Sequence, residues 1–166
     1  MWIKRSGVVI VLACAVTLSA PIAAIAATPD QTPAKPRINC TKVIAALTDL
    51  SLQYQKLLFL DSPDAWATTA RDPLGGTLDG AKLRADAKAL AILRSVKTSS
   101  LGFPSVKKVL ANVNKLGDLV EAALASSAPF PGPGQDAYQL ATDRSVGDRS
   151  ALGYASDQRG CRARAG

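Results

Sequence analysis

Two stripes of apolar residues constrain this chain more than anything else in it. Val43, Leu47, Leu50, Tyr54 and Leu57 recur at alternating intervals of four and three, and so do Val106, Val109, Val113, Leu116 and Val120. That spacing keeps side chains on one face of an α-helix, whereas a strand would need every second residue. Helices are therefore predicted over 41–61 and 105–126, with Ile44, Leu58, Leu110 and Leu124 widening the stripes. A helix striped on one side must bury that side against another element. No segment shows the period-two alternation of a strand. The expected fold is all-α: a small antiparallel helical bundle of three main helices and two short ones.

The remaining elements follow from breakers and caps. Ser62-Pro63-Asp64 is a helix-start signal, with a capping hydroxyl, Pro at the first helical position and an acid at the positive helix end. A short helix is predicted over 63–71, ended by Asp72-Pro73 and the Gly75-Gly76 turn. Trp66, the one tryptophan after the leader, is expected over a helix seam. Leu83, Ala87, Leu90, Leu93 and Val96 predict a helix over 78–97, where Ala81, Ala85, Ala89 and Ala91 would let a neighbour approach closely. "SSAPFPGPGQ", 126–135, alternates Pro and Gly and reads as a crossing loop. A last short helix is expected near 136–144. "DRSV" and "DRSA", at 143–146 and 148–151, read as successive turn or cap elements.

Export is the expected destination. Lys4 and Arg5 precede an apolar run from Gly7 to Leu18, Pro21 breaks it, and Ala24-Ile25-Ala26 offers a cleavage site. Residues 1–26 read as a signal peptide, 27–38 as a Pro-rich flexible tether and 39–166 as one domain. The mature protein is expected to be secreted or periplasmic. A retained anchor and acylation of Cys14 are the alternatives. The second is poorly matched, because Leu12 stands where a small residue is usual. Removing the leader leaves 18 basic against 13 acidic residues, a charge of +5. It also leaves two cysteines, Cys40 and Cys161. An even count in an exported chain predicts a disulfide, and two thiols allow one intramolecular pairing. It would clasp the chain ends.

The inventory of reactive groups is thin. The chain has no histidine, which removes the commonest general base and metal ligand. Two distant cysteines cannot fill a zinc shell. Ser105–Lys108, "SVKK", is the S-x-x-K with which penicillin-binding proteins and β-lactamases open a helix. "KTS" at Lys97–Ser99 precedes it, whereas that family's K-T-G follows, and no S-D-N element is present. Ser105 is expected to be a helix cap, and a hydrolase using Ser105 and Lys108 is the remote alternative. "DPLGGTLDG", 72–80, lacks calcium-loop spacing and reads as a turn. Asn39-Cys40-Thr41 fits a glycosylation sequon, but the expected bridge at its middle residue would hinder its use.

Cys40 at the start of the first helix and "FLDSP" at Phe59–Pro63 resemble the secreted mycobacterial haem carriers over roughly 24 residues. Those proteins are small, all-α and exported. The resemblance implies a carrier, with Tyr54 as the axial ligand on the first helix. The family's second cysteine lies elsewhere, and its histidines have no counterpart here.

These observations lead to a non-enzymatic binding module of the inhibitor, immunity or accessory kind, with no cofactor and no metal. Its expected partner is another exported or cell-envelope protein of acidic character, with no nucleic acid. Contact with an anionic membrane surface is conceivable for a basic chain but is not predicted. Arg84, Lys88, Lys107, Lys108 and Lys115 form the candidate binding surface. The alternative is a carrier of an apolar ligand such as haem or lipid, in a cavity lined by Leu47, Tyr54, Leu90 and Val113.

Overall fold

The computed structural model describes residues 38–69, 77–127 and 129–162. The expected signal segment, the tether up to residue 37, the turn at 72–76 and Arg164 lie outside them.

Helix α1 covers Cys40–Leu58. The Asn39 side chain caps it, its Oδ1 accepting from the Lys42 backbone N–H at 3.1 Å. Val43, Leu50, Tyr54 and Leu57 of the stripe are buried, and Leu47 is half-buried. The chain then turns through "FLDSP". Phe59 is exposed, Leu60 is buried, and Ser62 Oγ accepts from the Ala65 N–H to cap helix α2, Pro63–Thr69. Trp66 is buried, its indole N–H donating to the Leu60 carbonyl at 2.8 Å.

Helix α3 covers Gly80–Leu90 and tightens into a 3₁₀ segment, Ala91–Ser95. A continuous α-helix to residue 97 was the expectation. Leu90, Leu93 and Val96 are three apart, the repeat of a 3₁₀ turn, and Leu93 is fully buried by it. Helix α4, Val106–Ala125, lies where its stripe predicts, and Val106, Val109, Val113, Leu116 and Val120 are all buried.

The larger difference lies at the C-terminal end. A short helix over 136–144 and two turns were expected. Instead, one helix, α5, runs from Pro133 to Gln158. Its buried face is Gly134, Ala137, Ala141, Ser145, Asp148, Leu152 and Ala155. Those positions keep the three-and-four spacing of the other stripes, but in small and polar residues. The two "DRS" copies are consecutive turns of this helix, and Ser145 and Asp148 point inward from it.

Helices α1, α3, α4 and α5 form a ring in that order, each packed on its two neighbours. Gln53 on α1 meets the Thr77–Asp79 entry to α3, and Asp49 pairs with Lys82, so these two helices run antiparallel. Arg149 on α5 reaches Ser51 on α1, while Cys161 meets Cys40, so the ring closes antiparallel as well. The expected disulfide is present, with Cα atoms 5.0 Å apart across 121 residues of sequence. The close approach of α3 to α4 was expected through alanines. It is made by Gly80 and Gly117 instead: a Cβ on Gly117 would lie 2.7 Å from the Gly80 carbonyl oxygen. Ala81 and Ala85 face solvent. No strand is present among the described residues.

Candidate functional site

At mid-height of the ring, α1, α4 and α5 bring three polar side chains together. Asp148 is fully buried. Its Oδ2 accepts from the Tyr54 hydroxyl at 2.8 Å, and the Asn112 amide donates to both carboxylate oxygens at 3.5 Å. Burial pushes the Asp148 carboxyl above its ordinary range, and the bonds from Tyr54 and Asn112 pull it back, as do Arg144 and Lys108 from farther away. Burial also raises the Tyr54 phenol, and the neighbouring Asp148 raises it further. The cluster could hold or share a proton. Both side chains are closed off from water, however, at 1% and 0% exposure. Its role is to tie three helices in register.

A second buried carboxylate, Asp86, lies on α3. Its Oδ2 has no hydrogen-bond partner. Burial, and then the like charge of Asp49, push its carboxyl up from 3.8 to about 6, against the pull of Lys82.

Ser105 occupies the cap position before α4, and its Oγ accepts from the Lys108 backbone N–H at 3.3 Å. The S-x-x-K spacing is thus the cap-to-third-residue spacing of a helix start.

The five candidate surface cations do not form one face. Arg84 is committed: its guanidinium pairs with Asp118 at 3.1 Å and with Glu121. Lys107, Lys108 and Lys115 are exposed on α4, where Lys108 acts on Asp148 from the α4–α5 side. Lys88 lies on the other side of the ring. It lines a groove of about 610 Å³ between α1 and α3, together with Asn39, Lys42, Val43, Ala85, Ala89 and Ile92.

The four candidate lining residues do not share a cavity either. Tyr54, Leu90 and Val113 are packed into the continuous core, and the Tyr54 hydroxyl is spent on Asp148. Leu47 lines a separate shallow groove between α1 and α5, beside Ile44, Ser51 and Gly153.

No family model, curated protein or solved structure matches this chain. Its site must be read from its own residues. The sequence reading missed Asp148, Asn112, Asp86 and Lys42. Asp148 alone carried a usable signal: it stands three after Ser145 and four before Leu152, on the continuation of the helical stripe. Lys42 comes opposite Lys88 only once α1 and α3 are known to be antiparallel neighbours.

Proposed function

We propose that this chain is an exported, non-catalytic module that acts by binding another protein of the cell exterior or envelope. One observation carries the reading. Apart from the buried Asp86 carboxyl, the reactive side chains named above are consumed by the fold, while cations among the described residues remain unpaired on the surface. Tyr54 and Asp148 are sealed in the core, Ser105 is a cap, Cys40 and Cys161 are bonded to each other, and Arg84 is neutralised by two acids. Lys42 and Lys88 line an open groove and make no ion pair among the described residues.

The test is native mass spectrometry of the protein recovered from the exported fraction of its own cells. The expected species begins at Ala27 and carries a protein partner in fixed stoichiometry. Ser105→Ala should remove only the cap, about 1 kcal/mol, and leave the complex intact. A coloured or lipidic small molecule in place of a protein partner would overturn the reading. So would a hydrolytic activity abolished by Ser105→Ala in a protein of normal stability.

A further inference from the structure

We propose that the α1–α3 groove docks an acidic, amphipathic peptide segment of the partner, its carboxylates on Lys42 and Lys88 and its apolar side chains on Ala85, Ala89 and Ile92. The inference rests on the binding-module reading above and names the surface and the chemistry of what binds there.

The groove has a cation on each wall, Lys42 from α1 and Lys88 from α3. Neither is paired with an acid among the described residues. Asp49 is held by Lys82 at 3.1 Å, and Asp86 is buried in the seam. Two unanswered ammonium groups over an apolar floor match a segment that offers carboxylates beside apolar side chains. The floor is shallow because α3 presents Ala85 and Ala89 there, and Ile92 extends it with a side chain 39% exposed. Such a floor admits a helix or an extended chain lying along the seam. An enclosed small-molecule site is a poorer fit, because pockets for such ligands bury most of the ligand surface, and this groove is only partly enclosed. Arg84, named with Lys88 in the candidate surface, is excluded from the docking set by its bonds to Asp118 and Glu121.

The experiment uses the full mature chain with its disulfide intact. The probe is a synthetic helical peptide with Glu and Leu at alternating three- and four-residue spacing, compared with a peptide in which every Glu is Lys, and with oleate. Amide chemical shifts map the site, and titration at 0.05 M salt gives the affinity. The acidic peptide should move the amides around Lys42, Val43, Lys88, Ala89 and Ile92. The lysine peptide should bind at least tenfold more weakly. Lys42→Glu with Lys88→Glu should weaken the acidic peptide at least tenfold, with an unchanged circular dichroism spectrum, while Lys107→Glu with Lys115→Glu should change it less than twofold. Raising salt to 0.5 M should weaken wild-type binding, since exposed charges are screened beyond a few ångströms there.

Equal affinity for the two peptides would overturn the inference. So would shifts confined to α4, an unchanged affinity in the Lys42 and Lys88 reversals, or oleate occupying the groove more tightly than the peptide. If the native complex from the exported fraction survives the Lys42 and Lys88 reversals, the groove assignment fails and the binding-module reading stands. If no protein partner is recovered at all, the broader reading fails.

Discussion

Replacing Asp86 by Asn should stabilise the protein at neutral pH and do little in acid. The carboxyl is buried, one oxygen has no partner, and Asp49 lies close enough to repel it. Its folded value, about 6, lies above its ordinary value of 3.8. A group raised in this way binds its proton more tightly in the folded state. Its contribution is fully present below about pH 4 and is lost as the pH rises through 6. Taken in full, the shift is worth about 3 kcal/mol at 1.36 kcal/mol per unit. Asp49 and Lys82, the charges that act on it most, are 35% and 44% exposed, so water screens part of that. We expect Asp86→Asn to gain about 2 kcal/mol over wild type at pH 7.5, and the gain to fall to within about 0.5 kcal/mol of zero at pH 4, where the protonated acid and the amide are near isosteres. Urea unfolding of both proteins at six pH values, under oxidising conditions, measures the difference curve. Taking the difference cancels the titration of Asp148, which is common to both. A pH-independent difference, or an Asn variant weaker at pH 7.5, refutes the reasoning and would mean that Asp86 is charged and well solvated in the folded state.

Tyr54→Phe should cost about 2 kcal/mol, because it strands the buried Asp148 with only the long Asn112 contacts; in a double-mutant cycle, Asp148→Asn should recover part of that loss. Gly117→Ala should destabilise the protein by several kcal/mol despite the roughly 1 kcal/mol helix-propensity gain, because its Cβ meets the Gly80 backbone. Gly153→Ala, with nothing within 4 Å of the new methyl, should stabilise it by about 1 kcal/mol, and thermal melts of the pair compare the two glycines directly. Cys161→Ser should lower stability by up to about 5 kcal/mol in the loop-entropy model, read as a shift of the denaturation midpoint between oxidised and variant forms.

The parts legible in the sequence were those written in large apolar residues. α1 and α4 carry Leu, Val and Tyr at helical spacing, and both lie where that spacing predicts. α5 has the same spacing but writes it in Gly, Ala, Ser and Asp, so a search for hydrophobic period passes over it. Its inward face carries little apolar signal, yet it holds Asp148, which Tyr54 and Asn112 satisfy from α1 and α4. The surface was less legible still. Arg84 was one of five residues of the candidate basic surface, yet its charge is cancelled by residues 34 and 37 positions away. Lys42 looked unremarkable until α3 came alongside it. Lone residues on exposed faces carry no pattern of their own, and their meaning comes from the neighbouring helix.

The clasp between Cys40 and Cys161 also sets the path that a mechanical load would take. The bond joins the first residue of α1 to a residue three past the end of α5. A pull applied to the segments flanking residues 40 and 161 therefore passes through the sulfur–sulfur link and bypasses the four packed helices. The chain between the cysteines, a sequence separation of 121 residues, becomes hidden length. At about 3.4 Å per extended residue it amounts to roughly 400 Å. Stretched between its ends in an oxidising medium, the protein should act as a short inextensible link with the α1–α3 groove intact. After reduction, the same pull should peel the bundle open and release that length.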